Sequence, residues 1–342
     1  MFKDIISSHK IQALESALRD QDSILIEDTW NAPKAFIASL AQQVTGKHIL
    51  ILTGASQEET RLFHDFPFFN AQTAIEFPAW ETLPSENIAP SPDVVGERYK
   101  VLEEISTSKQ PRIILASLQA CLQRMIPPQK FQKLYLHLKV KDTISFDIFI
   151  LKLVEMGYQR RPVAADKGEF AVRGGIIDLF PVSSPDPFRI EFWGDDIESI
   201  RIYDPIGQKS IRPVESAEIT PAKELELLQT EKQLSTLLDY LGPQTLIIFD
   251  DLLALEDRYA SLVNICGGAT RTFCSIDQLM EDMQSLQKIF LSQNPIEELS
   301  EIRLLEKTSA NYYSADAPLY KISFHMFLRE FQARRWQHPF IP

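Results

Sequence analysis

The strongest constraint on the fold is a set of short apolar runs with no polar alternation: Ile24-Leu25-Ile26, Ile49-Leu50-Ile51-Leu52, Ile113-Ile114-Leu115-Ala116 and Leu246-Ile247-Ile248-Phe249. A strand written this way has to be covered on both faces, which is the condition inside a mostly parallel sheet. Amphipathic stretches, Ala32 to Val44 and Ser56 to Phe66, alternate with these runs, so residues 1–125 read as βαβ units of an α/β layer. Ser91-Pro92-Asp93 is a helix start, with an N-cap hydroxyl, proline at the first helical position and an acid in the first turn. Val94, Val95, Val101, Leu102 and Ile105 trace one face of that helix, and Pro111 ends it.

The pattern changes in residues 126–214. Glu169–Arg173, Ile176–Phe180, Phe188–Trp193 and Ile197–Tyr203 are predicted antiparallel strands, separated by Gly174-Gly175, the 183–187 stretch and Gly194-Asp195-Asp196. Residues 215–342 return to amphipathic helical pattern around one strong strand, Thr245–Phe249, and are predicted to end in an Arg/aromatic helix from about Ile322 to Trp336.

Charge and cysteine usage exclude several classes. The chain has 35 Lys and Arg against 47 Asp and Glu, a net charge of −12, which disfavours a chain whose main work is gripping phosphate backbones. The middle segment departs from that balance, with 13 basic residues against 12 acidic ones, and so reads as a partner surface. Three cysteines without a C-x-x-C pair make neither a four-Cys zinc site nor a disulfide scaffold and read as buried thiols. No apolar run approaches the ~18 residues of a membrane span, and the start of the chain has no secretory pattern, so the expectation is a cytoplasmic protein without a membrane partner.

Catalytic constellations are lacking. The segment after the first strand, Glu27 to Phe36, contains no glycine, a bulky Trp30, and Ala35 where a phosphate loop needs a hydroxyl, so Lys34 alone does not make a nucleotide site. Thr45-Gly46-Lys47-His48 reads as a helix C-terminal turn. Phe249-Asp250-Asp251 resembles a magnesium-holding strand end but lacks its phosphate loop, and the six histidines show no ligand spacing. Asp195-Asp196 belongs to a hairpin loop.

That hairpin has a readable geometry. With a three-residue loop, Ile190 faces Ile200 and Phe188 faces Ile202, leaving Arg189, Glu191, Trp193, Ser199, Arg201 and Tyr203 on the opposite face. Two arginines and two large aromatics on an open face have the composition of a protein-binding hot spot. Arg189 directly across from Arg201 needs an acid between or beside them.

Two stretches carry a resemblance to a known family. Phe77-Pro78-Ala79-Trp80-Glu81-Thr82-Leu83-Pro84 with Ser91-Pro92-Asp93-Val94-Val95-Gly96-Glu97-Arg98, and Gly168 to Pro181 with Arg189 to Asp195 and Asp204-Pro205, resemble the N-terminal UvrB-like region of the transcription-repair coupling factors, the Mfd family. The second stretch is shared with the excision-repair protein UvrB. The missing phosphate loop and the short link from Leu83 to Ser91, which has no room for UvrB's DNA-clamping hairpin, favour the coupling factors. The resemblance implies a degenerate helicase-like (P-loop type) parallel-sheet domain 1A (residues 1–125), an inserted β-rich domain 2 that binds UvrA (126–214) and a domain 1B (215–342). It implies UvrA contacts at Arg173, Arg189 and Trp193, the last standing where Phe is more usual, with Glu191 and Arg201 beside them. It further implies that ATP, magnesium, RNA polymerase and double-stranded DNA are bound by other parts of a longer protein, a DNA translocase that also carries a domain masking the UvrA face. This stretch itself then neither hydrolyses ATP nor translocates and needs no cofactor. The rival reading is a working UvrB-type ATPase that binds damaged DNA.

Overall fold

The computed structural model describes residues 9–27, 29, 32–54, 62–69, 74–83, 86, 88–266, 270–293 and 320–323. The first part of the chain gives α1 (His9–Asp20), β1 (Ser23–Glu27), α2 (Ala32–Thr45), β2 (His48–Thr53), β3 (Ile75–Phe77), α3 (Pro92–Thr107), β4 (Ile113–Ser117) and α4 (Leu118–Leu122). Ser91 caps α3 as its sequence predicts, its hydroxyl accepting the Val94 N–H at 3.4 Å. Gly46 ends α2 with φ +65, its N–H bonded to the Gln42 carbonyl. Of the predicted Ser56–Phe66 helix, Leu62 to Asp65 are helical, Phe66–Phe68 form a 3₁₀ turn, and residues 55–61 lie outside the described residues.

The middle of the chain contains α5 (Pro128–Leu134), β5 (Leu136–Lys139), α6 (Phe146–Glu155), β6 (Gln159–Arg160), β7 (Glu169–Arg173), β8 (Ile176–Phe180), β9 (Phe188–Trp193), β10 (Asp196–Tyr203), β11 (Ser210–Val214) and β12 (Ser216–Ile219). There follow α7 (Glu224–Thr230), α8 (Leu237–Leu241), β13 (Thr245–Asp250), α9 (Leu252–Cys266), α10 (Ile276–Asp282), β14 (Gln287–Leu291) and β15 (Tyr320–Ser323). The predicted helix from Ile322 is corrected at its start, because Ile322 and Ser323 pair in parallel with Ile26 and Glu27, and its remainder lies outside the described residues.

Both ends of the chain build one sheet. Its order is β15-β1-β14-β13-β2-β4-β3, with every pairing parallel. Residues 1–125 and 215–342 are therefore interleaved within one layer, since β13 and β14 stand between β1 and β2. The uninterrupted apolar runs are explained by this placement. Ile24, Ile26, Ile49, Ile51 and Ile248 point into one core with α1 and α2, while Leu25, Leu50, Leu52, Ile247 and Phe249 point into the opposite core, which continues toward the inserted segment. Each such side chain contributes about 1.5–3 kcal/mol by leaving water.

The insertion is a second sheet, β11-β10-β9-β8-β7-β6, antiparallel except for β6 against β7, beside a two-stranded ladder of β5 and β12. Its inner face is covered by α6, whose Phe149 and Leu153 are buried and whose Phe146 and Phe149 rings pack on Phe192. The predicted apolar face of the β9–β10 hairpin is this inner face.

A buried polar hub ties α3 to Glu224, where the chain returns from the insertion to the parallel layer. Arg98 on α3 is fully buried and donates through Nε and Nη2 to the two carboxylate oxygens of Glu224 at 3.0 and 3.3 Å. Its Nη1 reaches the Pro78 carbonyl (2.8 Å) and Gln123 Oε1 (3.2 Å), and its guanidinium lies over the Phe77 ring at 4.4 Å. Trp80 Nε1 donates to the same Glu224 carboxylate at 2.7 Å. The sequence stretch from Phe77 to Arg98 is thus an architectural clamp: it grips Glu224, the residue at which the chain re-enters the helical layer after β12. Gly96 lets the two bodies touch, because a Cβ there would stand 2.0 Å from the Val182 carbonyl oxygen.

Candidate functional site

The β9–β10 hairpin has the predicted facing pairs, Ile190 with Ile200 and Phe188 with Ile202. Its turn is shorter than expected. Trp193 pairs with Asp196 across a two-residue turn, Gly194-Asp195, with Gly194 at φ +62, and a bulge between Ile197 and Ser199 restores the register. The two acids in this hairpin brace it against α6 and the segment before it: Asp195 Oδ1 accepts the Phe146 N–H at 3.0 Å, and Asp196 Oδ1 accepts the Thr143 hydroxyl at 2.6 Å.

The outer face of the sheet brings together the residues singled out in the sequence, but with unequal freedom. Trp193 is 79% exposed at the end of β9. Arg201, directly opposite Arg189 in the register, pairs with Glu191 at 3.3 Å, and the Ser199 hydroxyl donates to the same Glu191 oxygen at 2.7 Å. Arg189 forms a two-pronged pair with Asp178 of β8, Nε to Oδ1 at 2.7 Å and Nη2 to Oδ2 at 2.9 Å. That bond, outweighing the opposing effect of burial, holds the Arg189 pKa above the usual guanidinium value. The repulsion expected between Arg189 and Arg201 is absorbed by a different acid on each side.

Tyr203 is corrected from the open face to the interior. It is fully buried, its hydroxyl donating to the Ala164 carbonyl at 2.6 Å and its ring lying 5.0 Å beneath the Arg189 guanidinium. Burial, with Asp178 nearby, raises its pKa well above that of a free phenol. Arg173 is exposed at the end of β7, and its Nη2 donates to the Pro162 carbonyl and to Gln208 Oε1, both at 3.2 Å. Gln208 is a residue that sequence reasoning missed. Its carbonyl also accepts from Arg189 Nη1 at 3.2 Å, so it sits between the two arginines. A residue in the left-handed region (φ +54) that is not glycine was the available signal, and only the folded backbone displays it.

An internal ion pair joins the start of α2 to the end of β13. Lys34, in the first turn of α2, meets Asp250 at the end of β13 at 2.5 Å, both nearly buried. Burial pushes the Asp250 carboxyl up, against the pull of Lys34. The lysine and the acid that the sequence singles out are thus each other's partner. Among the described residues no group of three or more His, Cys, Asp or Glu is placed to hold a metal ion. His48 Nδ1 accepts the Arg112 N–H at 3.1 Å and His137 pairs with Glu218 at 3.5 Å, structural roles for both. Cys121 and Cys274 are buried thiols, and the Cys266 side chain lies outside the described residues.

Comparison with known proteins falls on this same sheet. A family model described as the UvrB interaction domain matches residues 136–225, from the start of β5 through β12 to Glu224 and its neighbour. The chain is 33% identical over 175 residues to the transcription-repair-coupling factor of Haemophilus influenzae, covering 51% of this chain and 15% of that protein. It is 31% identical over 233 residues to that of Bacillus subtilis (68% and 19%) and 29% identical over 204 residues to that of Escherichia coli (60% and 18%). It spans less than a fifth of the length of these relatives. The outer face just described therefore lies within the stretch that matches the UvrB interaction domain model, in a chain similar to the transcription-repair-coupling factors.

Proposed function

We propose that this chain is a protein-docking module that binds UvrA through the outer face of the inserted sheet, as UvrB does, and so recruits excision repair to stalled transcription. The observation that carries the reading is Trp193, an exposed tryptophan that shares the outer face of the sheet with Arg173 and Arg201, in the stretch that matches the UvrB interaction domain model. An aromatic anchor with arginines around it is the composition of an energetic hot spot. Arg173 retains free guanidinium N–H groups for a partner's carboxylate, whereas Arg189, committed to Asp178 and Gln208, fixes the shape of the face. Glu191 holds Arg201 in place.

The Lys34–Asp250 pair supports a second part of the reading, that the parallel layer is a scaffold and does not turn over ATP. Nucleotide and magnesium chemistry, and contacts with RNA polymerase and double-stranded DNA, then belong to other parts of a longer, translocating protein. A cytoplasmic location agrees with the absence, among the described residues, of any helix long and apolar enough to cross a membrane.

Competition tests the docking reading. Labelled UvrB bound to UvrA is challenged with this chain, and displacement with a single saturable midpoint is expected. UvrB that stays bound at saturating competitor would refute docking at the UvrB position. In parallel, ATP titrated into the chain should give no heat and no hydrolysis, and turnover would support the UvrB-type ATPase instead.

A further inference from the structure

Ile206 is 94% exposed, the greatest exposure of any large apolar side chain among the described residues, yet its backbone is tightly built. The turn from Asp204 to Lys209 is closed by the Gln208 N–H to the Asp204 carbonyl and the Asp204 N–H to the Lys209 carbonyl, both at 2.8 Å. Asp204 Oδ1 accepts the Ile206 N–H at 3.0 Å, and Gln208 Nε2 donates to the Pro205 carbonyl at 2.6 Å. A Cβ on Gly207 would stand 2.6 Å from Asp204 Oδ2, so any other residue there would push the carboxylate aside. The turn is in turn clasped to the docking face, since the carbonyl of Gln208 is bonded by Arg189 and its side-chain oxygen by Arg173. Burying Ile206 against the body of the protein would gain the hydrophobic free energy that exposure forfeits, but these bonds hold it outward.

A rigidly displayed apolar tip loses little conformational freedom on association, which favours a contact role. Arg173 and Lys209 are exposed on the same turn and its clasp, Arg212 is exposed but pairs with Asp186 at 4.0 Å, and the Asp204 carboxylate is spent inside the turn, so the charge left open is positive. That pattern fits a shallow apolar pocket rimmed by acids.

We propose that Ile206 is a second apolar anchor of the docking face, engaging the same partner as Trp193, and that Gln208 is the positioning residue that presents it. The proposal rests on the UvrA reading above and names a contact that the sequence stretches resembling UvrB do not include.

The test is a calorimetric titration of UvrA with the wild-type chain and with Trp193→Ser, Ile206→Ala, Ile206→Asp, Gln208→Ala and the double variant Ile206→Ala/Gln208→Ala. Burial of one isoleucine side chain corresponds to roughly a tenfold or greater loss of affinity in Ile206→Ala, with Ile206→Asp weaker still. Melting temperatures of both Ile206 variants should match wild type, because the side chain packs on nothing. Gln208→Ala should weaken binding, and its added cost on top of Ile206→Ala should be smaller than its cost in the wild-type chain, as expected if Gln208 acts in part through Ile206, the remainder being its bond to Arg173. Wild-type affinity in Ile206→Asp, with binding lost in Trp193→Ser, would overturn the anchor while leaving the docking reading intact. Absence of binding by the wild-type chain would overturn the docking reading first. Losses that multiply in the double variant would overturn the positioning role of Gln208.

Discussion

Replacing Arg98 with methionine should unlock the joint between the inserted domain and the parallel layer. The variant keeps the volume of the side chain and removes four hydrogen bonds, two to the Glu224 carboxylate and one each to Pro78 and Gln123. Glu224, itself fully buried at its side chain, keeps only the Trp80 N–H and is left charged without a counter-ion. Breaking one side of such a pair costs about 3–5 kcal/mol, a large part of the ~5–15 kcal/mol that holds a domain folded. Removing both charges, as in Arg98→Met/Glu224→Leu, abolishes the orphan and should cost less than the sum of the single variants by at least about 2 kcal/mol. Urea denaturation followed by tryptophan fluorescence reads this directly, because Trp80 lies in the hub. Single variants within about 1 kcal/mol of wild type, or a double variant equal to the sum, would refute the view that this pair holds the two bodies together.

Gly96→Ala should destabilise by about 1–3 kcal/mol or more, since the new Cβ meets the Val182 backbone and neither side can yield; differential scanning calorimetry that shows an unchanged melting temperature would contradict the close approach. Asp178→Asn should weaken UvrA binding even though Asp178 is buried, because Arg189 loses its two-pronged partner and the Gln208 clasp with it; isothermal titration of the folded variant checks this. Lys288, whose Nζ donates to the carbonyls of Gln284 and Leu286, has its pKa lowered to about 8, chiefly by burial and against the pull of Asp22. The unfolded chain then holds this proton up to about pH 10.4 while the folded one releases it near 8, so wild type should gain stability relative to Lys288→Met as pH rises through that window. Urea midpoints of the two proteins that stay a constant distance apart from pH 7 to 10 would show that Lys288 is not buried as described.

Much of the parallel layer was legible because its strands are buried on both faces and therefore carry no polar residue to blur them. β14 escaped notice for the opposite reason: it begins Gln287-Lys288, a polar pair that the fold satisfies with backbone carbonyls of neighbouring segments, a compensation invisible in one dimension. Likewise nothing in the sequence around Thr245 shows that β13 sits beside β2, so two ends that read as separate units proved to share one sheet. On the outer face of the inserted sheet, alternation placed Arg189, Glu191, Trp193 and Arg201 on one side of the hairpin. It could not show that Tyr203 turns inward to the Ala164 carbonyl, nor that Asp178 from the adjacent strand pairs with Arg189, since both depend on which segment lies next to which. Within the Phe77 to Arg98 stretch the capping signal at Ser91 was legible from the residues, and the rest was noticed through resemblance. Its physical purpose, a clamp on a glutamate 126 residues away, required the folded chain.

The most direct test of the central claim is a calorimetric titration of purified UvrA with the wild-type chain beside Trp193→Ser and Arg173→Ala, with circular dichroism confirming that all three fold. The account predicts saturable binding by wild type, weakened by about 2 kcal/mol or more in Trp193→Ser and by about 1–3 kcal/mol in Arg173→Ala. Folded variants that bind as tightly as wild type, or a wild-type chain that does not bind UvrA, would contradict it.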